Sequence, residues 1–332
     1  MIARLFGAAL FSAALFICDA NADSAPPELM PAPVAACLAG KTMDIAGGHI
    51  HFSFAAEDFS VGRVPICNWV YRSAQAVSHY FGRFPVGNLR LILKSAEPSV
   101  VETGTTWGES KYAEPLIVVV LGRRASTEVL RDDWVMTHEM THLAVPSLPE
   151  RNHWFEEGVA TYVEPIARAQ LGHLTAERVW SDMLKGMPNG LPAVGDRGLD
   201  QTPTWGRTYW GGALFCLLAD VEIRKRTNNA KSLRDALRGV LAAGGTIEKD
   251  WPIERVFAAG DAAIGVPVLV ELYRQMATAP GLAELAPLWQ QLGVERSSGG
   301  VRFMEQAPLA AVRAGITAEP ERQNRDADAL GH

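Results

Sequence analysis

Short apolar stretches, separated by glycine and proline, characterise the first part of the chain. Apolar and polar residues alternate along residues 48–54, as in a half-buried β-strand. Residues 89–93 and 116–121 are continuous apolar runs, which are typical of buried strands. Residues 100–112 lie between these runs and are rich in glycine and threonine, so we interpret them as an irregular or edge strand. The pattern predicts a small sheet in the N-terminal part of the molecule.

Apolar positions three or four residues apart predict helices in much of the remaining chain. Val70, Ala74 and Val77 show this spacing within a helix expected at residues 65–81. Beyond residue 171 we expect a helical C-terminal part with a short hairpin, and we expect Gly260 to separate two of its helices. The further predicted helices are residues 213–224, 232–241, 252–259, 267–276, 282–292 and 309–313.

Residues 1–22 differ from the rest. Arg4 precedes an apolar run at residues 5–18, and the Ala-Asn-Ala sequence at residues 20–22 gives a cleavage pattern. We therefore predict a secretory signal peptide and an exported protein that is periplasmic or secreted. An uncleaved anchor is the alternative, although the apolar run is short for a membrane span. Residues 23–36 are rich in proline and alanine and are expected to form an extended, mobile lead-in.

Composition narrows the range of functions. The chain has 332 residues, of which 48% are hydrophobic, enough for a substantial core. A net charge of −6 argues against a nucleic-acid partner. No later apolar run reaches the roughly 18 residues of a membrane span, so no stable span is expected after signal cleavage. Cys37 and Cys67 could form a disulfide, but their spacing in the sequence does not decide whether they do. Cys216 is expected to be a buried free thiol.

The strongest chemical signal is the H-E-x-x-H motif formed by His138, Glu139 and His142. We expect it in a helix that starts near Ser126 and stops before the prolines that follow the motif. The two histidines then lie one turn apart on one face and can bind one Zn²⁺ ion, while Glu139 reaches a water molecule on that metal. A catalytic zinc site also needs a third protein ligand and an open position for water.

The residues after the motif supply a candidate ligand. Residues 154–164 read WFEEGVATYVE, and with the H-E-x-x-H motif this resembles the gluzincin zinc metallopeptidases of the peptidase MA superfamily. The aminopeptidase N and glycyl aminopeptidase families share the layout. The resemblance implies one zinc ion, with Glu157, the glutamate before the glycine, as third ligand on a second helix at residues 153–171. Glu156 stands beside it, and spacing alone does not separate the two.

A second segment, at residues 208–215, reads TYWGGALF and is similar to a downstream Y-x-x-G-A-L segment of the same families. In those families the tyrosine donates a hydrogen bond to the tetrahedral intermediate, so the resemblance implies this role for Tyr209. A tyrosine that only packs beside Trp205 and Trp210 is the alternative. The resemblance covers residues 138–215 and extends to the C-terminal helices only in general layout.

One family motif is absent. In aminopeptidases the substrate-binding edge strand carries Gly-x-Met-Glu-Asn, whose glutamate helps bind the substrate's amino group, and residues 100–112 lack it. Whether the chain would act as an aminopeptidase or an endopeptidase therefore stays open. Residues 104–108 form either a wall of the cleft or an ordinary glycine-rich turn.

Other polar residues are weaker candidates. Glu164 lies seven residues after Glu157, on nearly the same helix face, and either orients a zinc-bound histidine or is an exposed carboxylate. His153 is not expected to bind the metal. His49 and His51 are better explained as surface histidines on an edge strand than as a metal pair, because no third ligand is nearby in the sequence.

Together these observations predict an exported zinc metallopeptidase that acts on a peptide or protein substrate. His138, His142 and Glu157 would hold one Zn²⁺ ion, Glu139 would act as general base and Tyr209 would stabilise the oxyanion. No further cofactor is expected. Two alternatives stay open: a catalytically silent zinc-binding or scaffold protein of the same fold, and a zinc hydrolase acting on a non-peptide substrate.

The pattern and the resemblance predict an α+β fold: a thermolysin-like catalytic domain with a small N-terminal mixed sheet, an HExxH helix and a helical C-terminal part. We expect the substrate cleft between the sheet-containing part and the helical part. The expected divisions are a signal peptide (1–22), an α/β part with the sheet and the zinc helices (23–171), a helical part (172–315) and a disordered polar tail (316–332).

Overall fold

The computed structural model describes residues 30–55, 59–97, 99–109, 112–281 and 284–318. These residues have the predicted α+β architecture, with a mixed sheet in the N-terminal part and a helical C-terminal part. The predicted signal peptide and most of the predicted disordered tail lie outside the described residues. None of the described helices has the length and apolar content needed to cross a membrane.

The sheet contains the strands that the apolar runs predict. Its strands are β1 (Met43–Ile45), β2 (Gly48–Phe54), β3 (Asn88–Ala96), β4 (Val101–Trp107) and β5 (Leu116–Gly122). Their order is β1-β2-β3-β5-β4, with β2, β3 and β5 parallel and the two outer strands antiparallel to their neighbours. The interpretation of residues 100–112 as an edge strand is thus confirmed for β4.

The two histidines of β2 are not on an edge strand, because β2 pairs with both β1 and β3. That part of the expectation is wrong, since the short β1 covers the outer edge of β2. His49 Nδ1 lies 2.7 Å from Asp44 Oδ1 of β1, and both side chains are largely exposed. The ring of His51 instead approaches Glu114, with 3.6 Å between Nε2 and Oε2.

The helices of the N-terminal part are α1 (Ala32–Leu38), α2 (Arg63–Phe81), α3 (Thr127–Asp132), α4 (Val135–His142) and α5 (His153–Ala169). Helix α1 corrects the expectation that residues 23–36 form an extended lead-in, although only the last seven of those residues are described. Val34 of α1 is fully buried, and Cys37 forms a disulfide with Cys67 of α2. Burial of this small apolar face fixes the segment as a helix.

The helix expected to run from Ser126 through the H-E-x-x-H motif is two helices. The Ser126 hydroxyl caps α3 as expected, by accepting a hydrogen bond from Val129 N. The chain then breaks, because the Asp133 carboxylate accepts hydrogen bonds from Val135 N and Met136 N at 3.1 and 3.0 Å. These bonds satisfy free donors of a new helix start, so α4 begins at its own acidic cap.

The described residues of the C-terminal part form helices and a β-hairpin, as predicted. Its elements are α6 (Ala176–Gly186), α7 (Gly212–Arg226), α8 (Leu233–Ala242), α9 (Ile253–Ile264), α10 (Val268–Met276), α11 (Leu285–Leu292), β6 (Val294–Ser297), β7 (Gly300–Phe303) and α12 (Ala310–Thr317). Gly260 does not separate helices and instead lies within α9. A Cβ there would stand 2.7 Å from Leu269 Cδ1, so glycine lets α9 and α10 pack closely.

Helix α5 lies between the motif helix α4 and helix α7. The contact between α5 and α7 is close enough to require glycine on both sides. A Cβ on Gly158 would lie 2.4 Å from the backbone of Gly212, and a Cβ on Gly212 would lie 2.0 Å from Trp154 O. This close packing connects the two helices of the predicted zinc site to the segment before α7, which carries Tyr209.

Candidate metal centre

Helices α4 and α5 bring together the three predicted metal ligands. One donor atom from each of His138, His142 and Glu157 lies within 4.8 Å of the other two. Glu157 Oε2 lies 3.1 Å from His138 Nε2 and 3.7 Å from His142 Nε2. The three side chains are at most 12% exposed, so an ion held between them would be largely shielded from solvent. The arrangement forms a compact group of two imidazoles and one carboxylate.

The protonation states suit a divalent cation. Burial lowers the pKa of His142 to about 4, so its imidazole is neutral near pH 7 and has a free lone pair. Burial raises the pKa of Glu157, but its hydrogen bond with His138 and its interaction with His142 more than offset this, so the net pKa is lowered. Neutral imidazole and ionised carboxylate are the donor types that zinc prefers in catalytic sites, so the donor set fits zinc.

The structure separates the two adjacent glutamates of α5. Glu156 turns away from the donor group: its Oε1 accepts a hydrogen bond from Leu148 N at 2.9 Å and its Oε2 lies 2.8 Å from His153 Nδ1. Glu157 is the one that faces the histidines of α4. His153 also approaches Glu157 from outside, with 3.4 Å between Nε2 and Oε1, so it contacts the carboxylate without joining the donor group.

Glu139 lies beside this group and is buried against the edge strand. The Thr106 hydroxyl donates a hydrogen bond to Glu139 Oε2 at 2.6 Å. Burial raises the pKa of Glu139, and the Thr106 bond partly opposes this rise. A Cβ on Gly104 would lie 2.4 Å from Glu139 Cγ, so β4 can approach the glutamate only because this position is glycine. Residues 104–108 therefore form a wall beside the group rather than a remote turn.

Tyr209 reaches the site from a π-helical turn, Gly206–Gly211, directly before α7. Its ring stacks over that of His138, with 6.4 Å between centroids and 20° between planes. Burial raises the pKa of Tyr209, and the nearby carboxylates of Glu157 and Glu139 raise it further, so the hydroxyl keeps its proton and can donate. The Tyr209 ring thus contacts a metal-ligand candidate as well as Trp205.

A buried ion pair holds this turn. Arg207 Nε lies 2.8 Å from Asp196 Oδ2, and the two side chains are only 4% and 1% exposed. Arg207 Nη1 also donates to Gly190 O at 2.6 Å. These interactions fasten the turn to the preceding loop, which the sequence showed only as a glycine- and proline-rich stretch. Arg207 and Asp196 were not among the predicted site residues.

Two other carboxylates, Glu164 of α5 and Asp133 before α4, interact with residues outside the donor group. Glu164 is buried rather than exposed, and Arg168 Nη1 donates to its Oε1 at 2.7 Å. Burial raises the pKa of Glu164 to about 7, although the Arg168 charge opposes this. Asp133 accepts a hydrogen bond from Trp69 Nε1 at 2.9 Å in addition to capping α4. The sequence singled out Glu164, but it indicated neither its contact with Arg168 nor that of Asp133 with Trp69.

Comparisons with known proteins identify the fold. No protein-family profile and no curated protein matches the sequence. Among solved structures, an aminopeptidase N family protein from Idiomarina loihiensis is similar, with a TM-score of 0.58 and 13% identity over 76% of this chain and 49% of that one. An M1 zinc metallopeptidase from Deinococcus radiodurans is matched with a TM-score of 0.48 and 14% identity, over 74% of this chain and 52% of that one.

The chain thus spans about half the length of the solved structures that it matches. At 13% identity, the similarity to the Idiomarina protein is a similarity of fold. It agrees with the family resemblance of the H-E-x-x-H motif and the helix that follows it. The part of the chain that the structure describes thus shares its fold with that aminopeptidase N family protein, and the metal-binding candidates lie on helices α4 and α5.

Proposed function

We propose that the chain is a zinc-dependent metallopeptidase that hydrolyses peptide bonds. The observation that carries this proposal is the convergence of His138, His142 and Glu157, with Glu139 beside them, in a gluzincin-type fold. The donor chemistry supports zinc as the ion, and one group of this composition supports a single ion. When bound, zinc supplies Lewis acidity, which polarises a carbonyl and activates water near neutral pH.

Glu139 is proposed as the general base and acid. Its Oε2 is held by Thr106, which leaves Oε1 to take a proton from the attacking water and to pass it to the departing amine. A carboxyl whose pKa is raised by burial binds that proton more readily than an exposed glutamate. The Tyr209 hydroxyl is proposed to donate to the oxyanion that forms at the scissile carbonyl.

A polypeptide is the proposed substrate. Strand β4 has a neighbouring strand on one side only among the described residues, so its other edge can accept an extended chain. Its residues Gly104 and Thr106 contact Glu139, which brings a peptide on that edge next to the proposed base. The mode of cleavage stays open, because the acidic aminopeptidase motif is absent from this strand.

Export is part of the proposal. The leader pattern in residues 1–22 supports it, and so does the bond between Cys37 and Cys67, since disulfides persist in oxidising compartments. The mature protein would begin at Asp23 and be periplasmic or secreted. N-terminal sequencing of the protein recovered outside the cytoplasm tests this, and an intact leader there would contradict signal cleavage.

The proposal is tested by incubating the zinc-loaded full chain with a peptide library and sequencing the products by mass spectrometry. The Glu139→Gln variant is the matched control, because it keeps the donor group and the size of the side chain. We expect cleavage by the wild type and a loss of at least about 1000-fold in the variant, with equal zinc content. Equal cleavage by both would contradict the assigned base.

Two other outcomes would favour the alternatives. Zinc binding without cleavage of any peptide would favour a silent zinc-binding or scaffold protein. Cleavage of ester or other non-peptide substrates, abolished by Glu139→Gln while peptides stay intact, would favour a hydrolase of a different substrate class. The cut positions, when peptides are cleaved, distinguish aminopeptidase from endopeptidase action.

A further inference from the structure

The exposed tryptophans of this protein are concentrated at the candidate metal centre. Of the nine tryptophans in the chain, Trp69, Trp154, Trp180, Trp251 and Trp289 are buried and Trp210 is half-buried. The remaining ones, Trp107, Trp134 and Trp205, are 44%, 53% and 65% exposed. Each of these lies next to, or in ring contact with, a residue of the site described above. Such clustering of large apolar surface marks a binding region.

Trp134 and Trp205 belong to a continuous row of aromatic rings through the site. Trp134 precedes α4 and meets the ring of His138 edge to face, with 5.2 Å between centroids. The ring of His138 stacks with that of Tyr209, and Tyr209 contacts Trp205 at 6.2 Å and 30°. The row therefore has an exposed indole at each end, and between them lie His138, a candidate metal ligand, and Tyr209, the candidate oxyanion donor.

Trp107 adds apolar surface at the edge strand. It is the last residue of β4 and directly follows Thr106, whose hydroxyl holds Glu139. The β4 positions that contact Glu139 are Gly104 and Thr106, neither of which carries a charge. A peptide laid along this edge would therefore meet uncharged and apolar groups close to the proposed base.

We infer that the site takes polypeptide segments with large apolar or aromatic side chains next to the cleaved bond, held by Trp134 and Trp205. More than half of each of these two side chains faces water in the free protein, so covering it with an apolar side chain is favourable. Because the two tryptophans contact His138 and Tyr209, an apolar side chain bound to them would lie beside the reacting groups. The inference rests on the proposed peptidase function and names its substrate class.

The inference is tested with three internally quenched peptides of equal length and blocked N-termini. They differ only at the central pair of residues, which is Phe-Phe, Ala-Ala or Glu-Glu. For the zinc-loaded wild type we expect kcat/KM for Phe-Phe to exceed that for Ala-Ala by about tenfold and that for Glu-Glu by more. Comparable values for the three peptides, or a preference for Glu-Glu, would overturn the inference and leave the proposed function standing.

Variants then assign the preference to the indoles. Trp134→Ala and Trp205→Ala should each reduce the Phe-Phe over Ala-Ala ratio by about threefold, mainly through KM, whereas Trp205→Phe should retain most of the wild-type ratio. Met304→Ala, which changes an exposed apolar residue just after β7, is the control and should leave the ratio unchanged. If Trp205→Ala lowers kcat/KM equally for all three peptides and Trp205→Phe does not restore it, the inference is overturned, because the indole would then act only structurally.

Two remaining outcomes concern a chain without peptidase activity and a lipid-binding surface. If wild-type protein with bound zinc cleaves none of these peptides and none of the library, the proposed function and the inference fail together. Cleavage of the library without cleavage of any of the three peptides overturns the inference and leaves the proposed function standing. Exposed indoles also bind lipid surfaces, so sedimentation with neutral phosphatidylcholine vesicles is measured in parallel. Vesicle binding that Trp205→Ala abolishes, with peptide selectivity unchanged, would assign the tryptophans to a membrane surface and overturn the inference.

Discussion

The metal-ligand candidates and the segment that carries Tyr209 meet in one site but are built differently. His138 and His142 come from successive turns of α4, and Glu157 comes from the next long helix of the chain, α5. Tyr209 comes from a π-helical turn held by the buried pair of Arg207 and Asp196. The first arrangement depends on helix periodicity, whereas the second depends on contacts made only in the folded protein.

The difference implies that changes in the two regions should have different consequences. Loss of a metal ligand removes a donor and should affect metal content directly. Loss of a residue in the Tyr209 segment should leave the metal in place and affect catalysis or stability. Variants in each region test whether the two can be separated in this way.

Among variants that keep the metal ligands and the proposed base, the largest effect on catalysis is expected for Tyr209→Phe, which removes only the hydroxyl. Loss of one oxyanion donor should lower kcat about 100-fold, with little change in KM, because the hydroxyl would act on the transition state. Zinc content should equal that of the wild type, as measured by inductively coupled plasma mass spectrometry. Loss of zinc in this variant would show that the two regions are not separable.

The next effect concerns the ion pair that holds the Tyr209 turn. Arg207→Met leaves the Asp196 carboxylate buried without its partner, so the free energy of unfolding should fall by about 3 kcal/mol. Urea denaturation measures this change. Arg178→Ala breaks a pair in which both side chains are at least 43% exposed and should cost less than about 1 kcal/mol. Similar losses in both variants would contradict the structural role given to Arg207.

A smaller effect is expected where β4 meets the motif helix. The hydrogen bond from Thr106 lowers the pKa of the Glu139 carboxyl. Thr106→Val removes this bond, so the pKa of Glu139 should rise in the variant. Because the base must be ionised to act, the acidic limb of the kcat/KM profile should move to higher pH, and activity at pH 7 should fall about fivefold. A shift to lower pH would contradict this contact.

The sequence predicted much of the first region because its signals are local. The H-E-x-x-H spacing places two histidines on one helix face, and the apolar runs correctly indicated the central strands β3 and β5. Glu157 needed the resemblance to known peptidases, since Glu156 beside it has the same chemistry. Only the folded contacts of Glu156 with Leu148 and His153 distinguish the two residues.

Apart from Tyr209 itself, the features that depend on contacts made only in the folded protein were not predictable, in either region. Thr106 and Glu139 are 33 residues apart, and their contact depends on the packing of an edge strand against α4. The pairing of Arg207 with Asp196 depends on how the loop before the π-helical turn folds back. The break before α4 was missed because one helix was expected from Ser126 through the motif, whereas the Asp133 carboxylate accepts hydrogen bonds from the first backbone N–H groups of a new helix.

The proposed metal centre is tested most directly by the zinc content of two adjacent variants, Glu157→Gln and Glu156→Gln, compared with the wild type. Both are measured by inductively coupled plasma mass spectrometry after zinc loading and dialysis. We expect one zinc ion per chain in the wild type and in Glu156→Gln, and loss of most zinc in Glu157→Gln. Full zinc in Glu157→Gln, or its loss in Glu156→Gln alone, would contradict the proposed metal centre.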